Sequence, residues 1–283
     1  MKIFPGEFDR IIDRALAEDL VSGDPTTLAL FPDNLKATAG ISIRNAGVLA
    51  GLDVALTVFR RLDPNVETRV YFGDGDCLKG GEVVASVAGN LPSLLSAERT
   101  ALNFIQRMSG IATETSKFVT AVSDTKVIIL DTRKTAPGLR AFDKYAVTVG
   151  GGRNHRMNLG DGILIKDNHI RMLEASGLKL SQIVARAKSR ASHTLRVQVE
   201  VETLEDVSSA VEADVDAVLL DNMSLAQMKA AVKIVNGQVA IEASGGVTLD
   251  NVAEIAATGV DMISIGALTH SAKALDFGFD FDK

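Results

Sequence analysis

The sequence predicts an α/β protein in two parts: an incomplete seven-stranded parallel α/β barrel over residues 109–269, preceded by a smaller α+β sandwich domain over residues 1–108. Three observations predict it. From about residue 126, short apolar runs end at Leu130, Val149, Ile165, Val201, Leu220, Ala243 and Ile265, and Glu200, Asp221, Ser244 and Gly266 follow one another at intervals of 21, 23 and 22 residues. That interval suits a compact strand-helix unit in one register, and such repeats imply parallel strands wound in one direction. Second, Arg133, His155, Lys166, Glu200, Asp221 and Ser244 each stand at a different strand end. A barrel distributes its polar residues this way, whereas a doubly wound sheet gathers them at one switch point. Third, the first hundred residues carry short strands broken by turn residues, with no such repeat.

In chain order, Ala37 to Arg44, Val66 to Phe72 and Glu82 to Val87 read as strands of a small antiparallel sheet, separated by Gly-Asp-Gly-Asp at 73–76, Gly80-Gly81 and Gly89-Asn90. Leu94 to Met108 has apolar residues at 94, 95, 101, 102, 105 and 108, the stripe of an amphipathic helix leading into the barrel. Val127–Leu130, Tyr145–Val149 and Ile163–Ile165 read as buried parallel strands, followed by Val197–Val201 and Val218–Leu220. Thr203 to Ala213, Ser224 to Val235 and Thr248 to Thr258 are the intervening amphipathic segments, and Phe277–Phe281, in the tail 270–283, is expected to pack back onto the first domain.

With 283 residues, 46% hydrophobic and 23% charged, the chain can bury one large core and a smaller companion. A formal net charge of −6 argues against a nucleic-acid partner, which usually meets a broad basic face. The single cysteine, Cys77, permits neither an intrachain disulfide nor a thiolate metal cage, and a reducing cytoplasm is the expected location. Met1–Gly6 carries no apolar leader, and no stretch approaches the ~20 apolar residues of a spanning helix, so no membrane partner is expected.

Within this acidic chain, residues 133–166 hold seven Lys or Arg against only Asp143 and Asp161. Such a local excess needs an anionic guest. Arg133, Lys134, His155, Arg156 and Lys166 follow the three runs ending at Leu130, Val149 and Ile165, so three adjacent strand ends would point cations into one crevice. Arginine offers a planar fork to a carboxylate or phosphate and lysine a movable point charge. Any one of them alone would pass as a solvated loop charge; five at consecutive strand ends favour a binding site. Glu200 and Asp221 end two later strands, where carboxylates can hold Mg²⁺ while substrate phosphates complete its shell, or can balance neighbouring lysines. Ser244-Gly245-Gly246 and Gly266 end the last two strands. Small residues there let backbone N–H groups approach a phosphate, and they also suit a tight turn. Gly150-Gly151-Gly152 lacks the spacing of a dinucleotide fingerprint, and His155, His169, His193 and His270 include no close metal-ligand pair. Lys166 as a Schiff-base lysine of an aldolase-like barrel is the chemical rival, and a non-catalytic phosphosugar-binding regulator is the rival of another class.

Several segments carry a closer resemblance. They are Glu18-Asp19-Leu20 with Gly23-Asp24-Pro25-Thr26-Thr27, Gly47-Val48-Leu49-Ala50-Gly51, Ala97-Glu98-Arg99-Thr100-Ala101-Leu102-Asn103-Phe104, and Ser109-Gly110-Ile111-Ala112-Thr113. More specific are Asp131-Thr132-Arg133-Lys134-Thr135 with Pro137-Gly138, Gly150-Gly151-Gly152 with Asn154-His155-Arg156, and Leu164-Ile165-Lys166-Asp167-Asn168-His169. Through these the chain resembles the quinolinate phosphoribosyltransferase family nearly end to end. The resemblance implies a pentosyltransferase of pyridine nucleotide biosynthesis that joins quinolinate to phosphoribosyl pyrophosphate (PRPP) with Mg²⁺ and releases CO₂ and pyrophosphate. It implies that Arg133, His155, Arg156 and Lys166 bind the two carboxylates, joined by Arg99 from a neighbouring subunit of a homodimer or higher oligomer. By the same resemblance Lys134, Glu200 and Asp221 serve the phosphoribosyl group and its metal, Lys134, Lys166, Glu200 and Asp221 form the catalytic set, and Ser244, Gly245, Gly246 and Gly266 cradle the 5′-phosphate. Asn158 stands where the family more often has glycine, and Ala136 replaces a common threonine. The molybdenum-transport-associated paralogue of the family is a further rival, against which the intact Arg133-Lys134 and Lys166–His169 segments weigh.

Overall fold

A computed structural model describes residues 5–281; Met1–Phe4, the first residues of the stretch read above as lacking an apolar leader, lie outside the described residues. The described residues form two compact units, one of residues 5–116, 134–151 and 267–281, the other of Lys117–Arg133 and Gly152–Gly266.

The first unit contains a four-stranded antiparallel sheet in the order Phe277–Phe281, Lys36–Ile43, Val83–Asn90, Glu67–Val70. Ala39, Ile41 and Ile43 alternate on one fully buried face, the period-two pattern of a half-covered sheet. The C-terminal segment packs where the sequence placed it, running antiparallel along Lys36–Ile43 from Ala39↔Phe281 to Ile43↔Phe277. Phe279 stacks on Phe59 of the Leu52–Leu62 helix at 5.2 Å between centroids.

Two expectations for this unit are corrected. The helix read over Leu94–Met108 runs from Leu91 to Ala121, 31 residues, because the buried stripe continues through Ile111, Ala112, Thr115 and Phe118. The expected boundary at 108/109 falls within this helix. Tyr145–Val149 is no strand: Arg140–Val149 is an α-helix of the first unit. Ala141, Phe142, Asp143, Lys144, Ala146 and Val147 are its buried residues. Burial runs through 141–144 and 146–147 without the alternation of a strand, a pattern that the five-residue window 145–149 is too short to reveal. Arg140 and Lys144, two of the seven Lys or Arg counted in 133–166, lie on this helix, and Lys144 is fully buried.

The second unit is a six-stranded parallel sheet in the order Ile128–Leu130, Met262–Ser264, Ala240–Ser244, Ala217–Asp221, Val197–Val201, Ile163–Ile165. The seventh expected position is reduced to an isolated parallel bridge, Leu130↔Arg153. Ile128–Leu130 and Ile163–Ile165 stand at opposite ends of this order. Ile129, Ile263, Ala243, Leu220 and Val201 form one buried register row. Buried residues of the Leu204–Glu212, Leu225–Val235 and Val252–Ala256 helices complete the apolar layer. Thr203 caps the first of these by accepting from the Asp206 N–H at 3.1 Å, and Ser224 with Gln227 forms a reciprocal capping box on the second. The Thr248–Thr258 segment yields only the five-residue helix Val252–Ala256.

Candidate functional site

Strand register brings the charged groups of the second unit together. Ile165 pairs with Val199, so the next residues on these two strands are Lys166 and Glu200; Glu200 pairs with Leu219, Leu219 with Glu242, and Glu242 with Met262. Adjacent residues in a register row face the same side of the sheet. The Lys166 Nζ accordingly meets Glu200 Oε2 at 3.0 Å. Gln198, two residues before Glu200, donates from Nε2 to Glu242 Oε2 at 2.8 Å across the intervening Ala217–Asp221 strand. Next-nearest strands lie roughly 10 Å apart in a flat sheet. Convergence of their side chains means that this face is concave.

Above that row lies a cation cluster. Asp131, fully buried, accepts the His155 N–H at 2.8 Å, and its own N–H donates to the Arg153 carbonyl at 3.1 Å. These bonds fix the segment 153–156 against the Ile128–Leu130 strand, a physical reason for the aspartate of Asp131-Thr132-Arg133. His155 Nε2 lies 3.3 Å from Glu242 Oε2, and His155 Nδ1 accepts the Arg156 N–H at 2.7 Å. Arg156 donates from Nη1 to the Gly162 carbonyl at 3.2 Å. Burial, and then the like charge of Arg133, hold the Arg156 guanidinium below its ordinary pKa, while Asp161 and Glu242 act the other way. The Nε–H groups of Arg133 and Arg156 are both buried without a hydrogen-bond partner. Two crowded guanidinium groups with buried donors to spare suit an oxygen anion.

Lys166 sits at the start of the Asp167–Glu174 helix, where its N–H donates to His169 Nδ1 at 2.9 Å and its carbonyl accepts from the His169 N–H at 2.9 Å. The histidine of Lys166-Asp167-Asn168-His169 thus sets the turn that presents the lysine. The Lys166 side chain is 49% exposed and paired with a carboxylate. Such an ammonium suits anion binding better than Schiff-base chemistry, which needs a neutral amine. Asn158 Oδ1 accepts the Gly160 N–H at 2.8 Å and Asp161 Oδ2 the Met157 N–H at 2.9 Å, so the unusual asparagine braces the loop beside Arg156.

The phosphate-type end is the next inward row, where Asp221 pairs with Ser244 and Ser244 with Ser264. Gly245 and Gly246 follow with φ of +90° and +62°. A Cβ on Gly245 would collide with the Asn222 side chain, while none would meet anything at Gly246. Asn222 donates its N–H to the Ser244 carbonyl at 3.0 Å and its Nδ2 to Asp221 at 2.9 Å; Asn251 Nδ2 holds the Gly246 carbonyl at 3.0 Å. Gly266 lies two residues beyond Ser264, half-buried. Among the described residues no three His, Cys, Asp or Glu side chains cluster as a metal cage. Glu200 and Asp221, on adjacent strands of one concave face, fit a cation that takes most of its ligands from substrate oxygens.

Two predicted site residues belong to the first unit. Lys134 opens the segment Lys134–Gly151, and its carbonyl accepts from Thr269 Oγ1 at 2.8 Å. Asp143, buried, takes a two-pronged ion pair from Arg107 at 2.8 Å and accepts the Ala136 N–H at 3.3 Å, which anchors the loop after Lys134. Arg99 is exposed on the long helix and lines a cavity of this unit with Glu18, Asp19, Asn103 and Arg107. Sequence reading missed Glu242, Gln198 and Asn222. The signal for the first two was period two: Gln198 precedes Glu200, and Glu242 precedes Ser244, by two residues. Asn222 left no comparable trace.

No helix of the described residues is long and apolar enough to cross a membrane. Two family models match the chain, quinolinate phosphoribosyl transferase N-terminal domain over residues 24–109 and C-terminal domain over residues 111–280. Among curated proteins, the nicotinate-nucleotide pyrophosphorylase [carboxylating] of Mycobacterium leprae is 45% identical over 283 residues, covering 97% of this chain and 98% of that protein. The probable nicotinate-nucleotide pyrophosphorylase [carboxylating] of Bacillus subtilis is 40% identical over 274 residues, covering 97% and 93%. The crystal structure of NadC from Streptococcus pyogenes superposes with a TM-score of 0.94 at 41% identity over 100% of both chains. With both halves of the sequence matched and relatives of this identity along its length, the chain belongs to the quinolinate phosphoribosyltransferase family.

Proposed function

We propose that the chain transfers the phosphoribosyl group of PRPP to quinolinate with loss of pyrophosphate and CO₂, yielding nicotinate mononucleotide for NAD biosynthesis. The observation that carries the reading is the Arg133–Arg156 pair, half-buried, mutually repelling and each holding an unpartnered buried Nε–H. An aromatic diacid supplies the two negative charges this pair lacks. Arg133, Arg156 and Lys166 hold its carboxylates, and His155 fills the floor between them. Ser244, Gly245, Gly246 and Gly266 take the 5′-phosphate on backbone N–H groups, while Glu200 and Asp221 hold ribose hydroxyls and the cation. Lys134, next to Arg133 in sequence, serves the pyrophosphate.

The chemistry follows from charge. The pyridine nitrogen gives its lone pair to the anomeric carbon as the bond from that carbon to the pyrophosphate oxygen breaks, its electron pair leaving with pyrophosphate. Fixed cations favour this step because they meet negative charge where it develops. Mg²⁺, when bound through Glu200 and Asp221, supplies further charge stabilisation to the leaving oxygens. The resulting pyridinium is an electron sink: the adjacent carboxylate leaves as CO₂, the bonding pair passes to the ring carbon, and a proton from solvent completes it. Holding two polyanions side by side converts a repelled encounter into an intramolecular step, which makes positioning the main contribution of the protein.

Arg99 reaches the site of a second copy in a homo-oligomer. The chain works in the cytoplasm, in keeping with Cys77 as a free, exposed thiol. The test is to mix the protein with quinolinate, PRPP and Mg²⁺ and to follow CO₂ and nicotinate mononucleotide together. Both products appear in equal amounts; binding of PRPP without either product defeats the reading.

A further inference from the structure

Beneath the cation cluster lies a carboxylate that the reaction does not consume. Glu242 is 1% exposed, stands in the middle of the Ala240–Ser244 strand, and faces into the concave side. Its Oε2 accepts from Gln198 Nε2 at 2.8 Å and faces His155 Nε2 at 3.3 Å, while its Oε1 is buried without a partner. Burial works against its ionisation. Hydrogen bonds from His155, Ser264 and Gln198 offset it and hold the carboxyl below its ordinary pKa.

The other side of the same imidazole decides its protonation. The Arg156 backbone N–H points at His155 Nδ1 at 2.7 Å. An amide N–H can only donate, so Nδ1 must offer a lone pair. A second proton on that nitrogen would set two hydrogens against each other. The one ring proton therefore sits on Nε2, directed at Glu242, and the tautomer follows from the network. The backbone N–H of His155 is held by Asp131 Oδ1 at 2.8 Å, which leaves the residue little freedom to turn away.

We infer that His155 is a neutral imidazole with its proton on Nε2, locked between the Arg156 amide and Glu242, and that Glu242 is a positioning residue which keeps this ring, and through it Arg156, in place for the diacid. His155 then contributes shape instead of charge, and recognition of the two carboxylates falls to Arg133, Arg156 and Lys166. This refines the role that the family resemblance gave His155, and its kinetic part rests on quinolinate being the substrate. A buried carboxylate under two guanidinium groups also explains how they stay together before the guest arrives.

The test begins without substrate. Nitrogen-15 NMR of the full-length, histidine-labelled protein near neutral pH, with His155 assigned by the signal missing from His155→Gln, reports both ring nitrogens. One protonated Nε2 and one unprotonated Nδ1 are expected, and an imidazolium with both protonated overturns the inference. In kinetics, Glu242→Leu raises the quinolinate KM about tenfold or more with the PRPP KM nearly unmoved, and Glu242→Gln, which keeps an acceptor oxygen for Nε2–H, recovers most of that loss. An unchanged quinolinate KM in Glu242→Leu, or equal damage to both substrates, removes the positioning role. If the leucine variant does not fold, the wild-type spectrum still decides. A wild-type chain inert toward quinolinate would defeat the proposed reaction and leave the spectrum to judge the tautomer.

Discussion

Replacing Arg156 by lysine keeps one positive charge but removes a planar fork, and the site separates those two properties. Arg156 donates from Nη1 to the Gly162 carbonyl at 3.2 Å, which orients the guanidinium, and retains a buried Nε–H without a partner for the guest. A lysine ammonium is a single point and cannot reach both. Loss of one charge-assisted hydrogen bond to a carboxylate costs about 1.5–3 kcal/mol, so kcat/KM for quinolinate in Arg156→Lys falls roughly 10- to 150-fold. The charge itself adds a pH signature. Burial first, and the neighbouring Arg133 second, already bias this position against a cation. Arginine stays protonated regardless, whereas a lysine amine here loses its proton more readily. A base with a lowered pKa is charged below that pKa and neutral above it, so the variant is most active at the acid end and declines as pH rises. The wild type shows no decline from this group. The assay is CO₂ release from carboxyl-labelled quinolinate at saturating PRPP between about pH 6 and about pH 9. A deficit under about threefold, or one that shrinks as pH rises, would refute both the anion-receptor geometry and the role of Arg156.

Lys134→Ala and Lys166→Ala each lower kcat/KM about tenfold or more, one charged contact being lost in each, and near-wild-type steady-state kinetics in both would contradict their assignment. Gly245→Ala forces a side chain onto Asn222 at a φ of +90°; it weakens PRPP binding far more than quinolinate binding, as equilibrium titration of each ligand will show, at a stability cost of about 1–3 kcal/mol. Coexpressed Arg99→Ala and Lys166→Ala chains regain part of the wild-type activity if Arg99 acts across subunits, and a mixture no better than either variant alone places it elsewhere.

The sequence alone named the charged residues of the candidate site and the strand ends that carry most of them. Lys166, Glu200, Asp221 and Ser244 end or adjoin the strands assigned to them, because a β-branched run that closes on a polar residue is a local signal. The return of Phe277–Phe281 to the first domain was also legible, as an apolar segment left over after the last barrel strand; its pairing with Lys36–Ile43 was not. The run Tyr145–Val149 misled because strand and helix periods are indistinguishable over five residues, and only the packing of Phe142 and Ala146 selected the helix. Register was wholly a tertiary matter. Which residue of one strand stands beside which of another is set by hydrogen bonds between segments far apart in sequence, and it is register, with the curvature of the sheet, that carries Gln198 and His155 onto Glu242. Residue types named the cations; only the folded chain showed that one of the groups counted among them, His155, has both ring nitrogens already engaged within the protein.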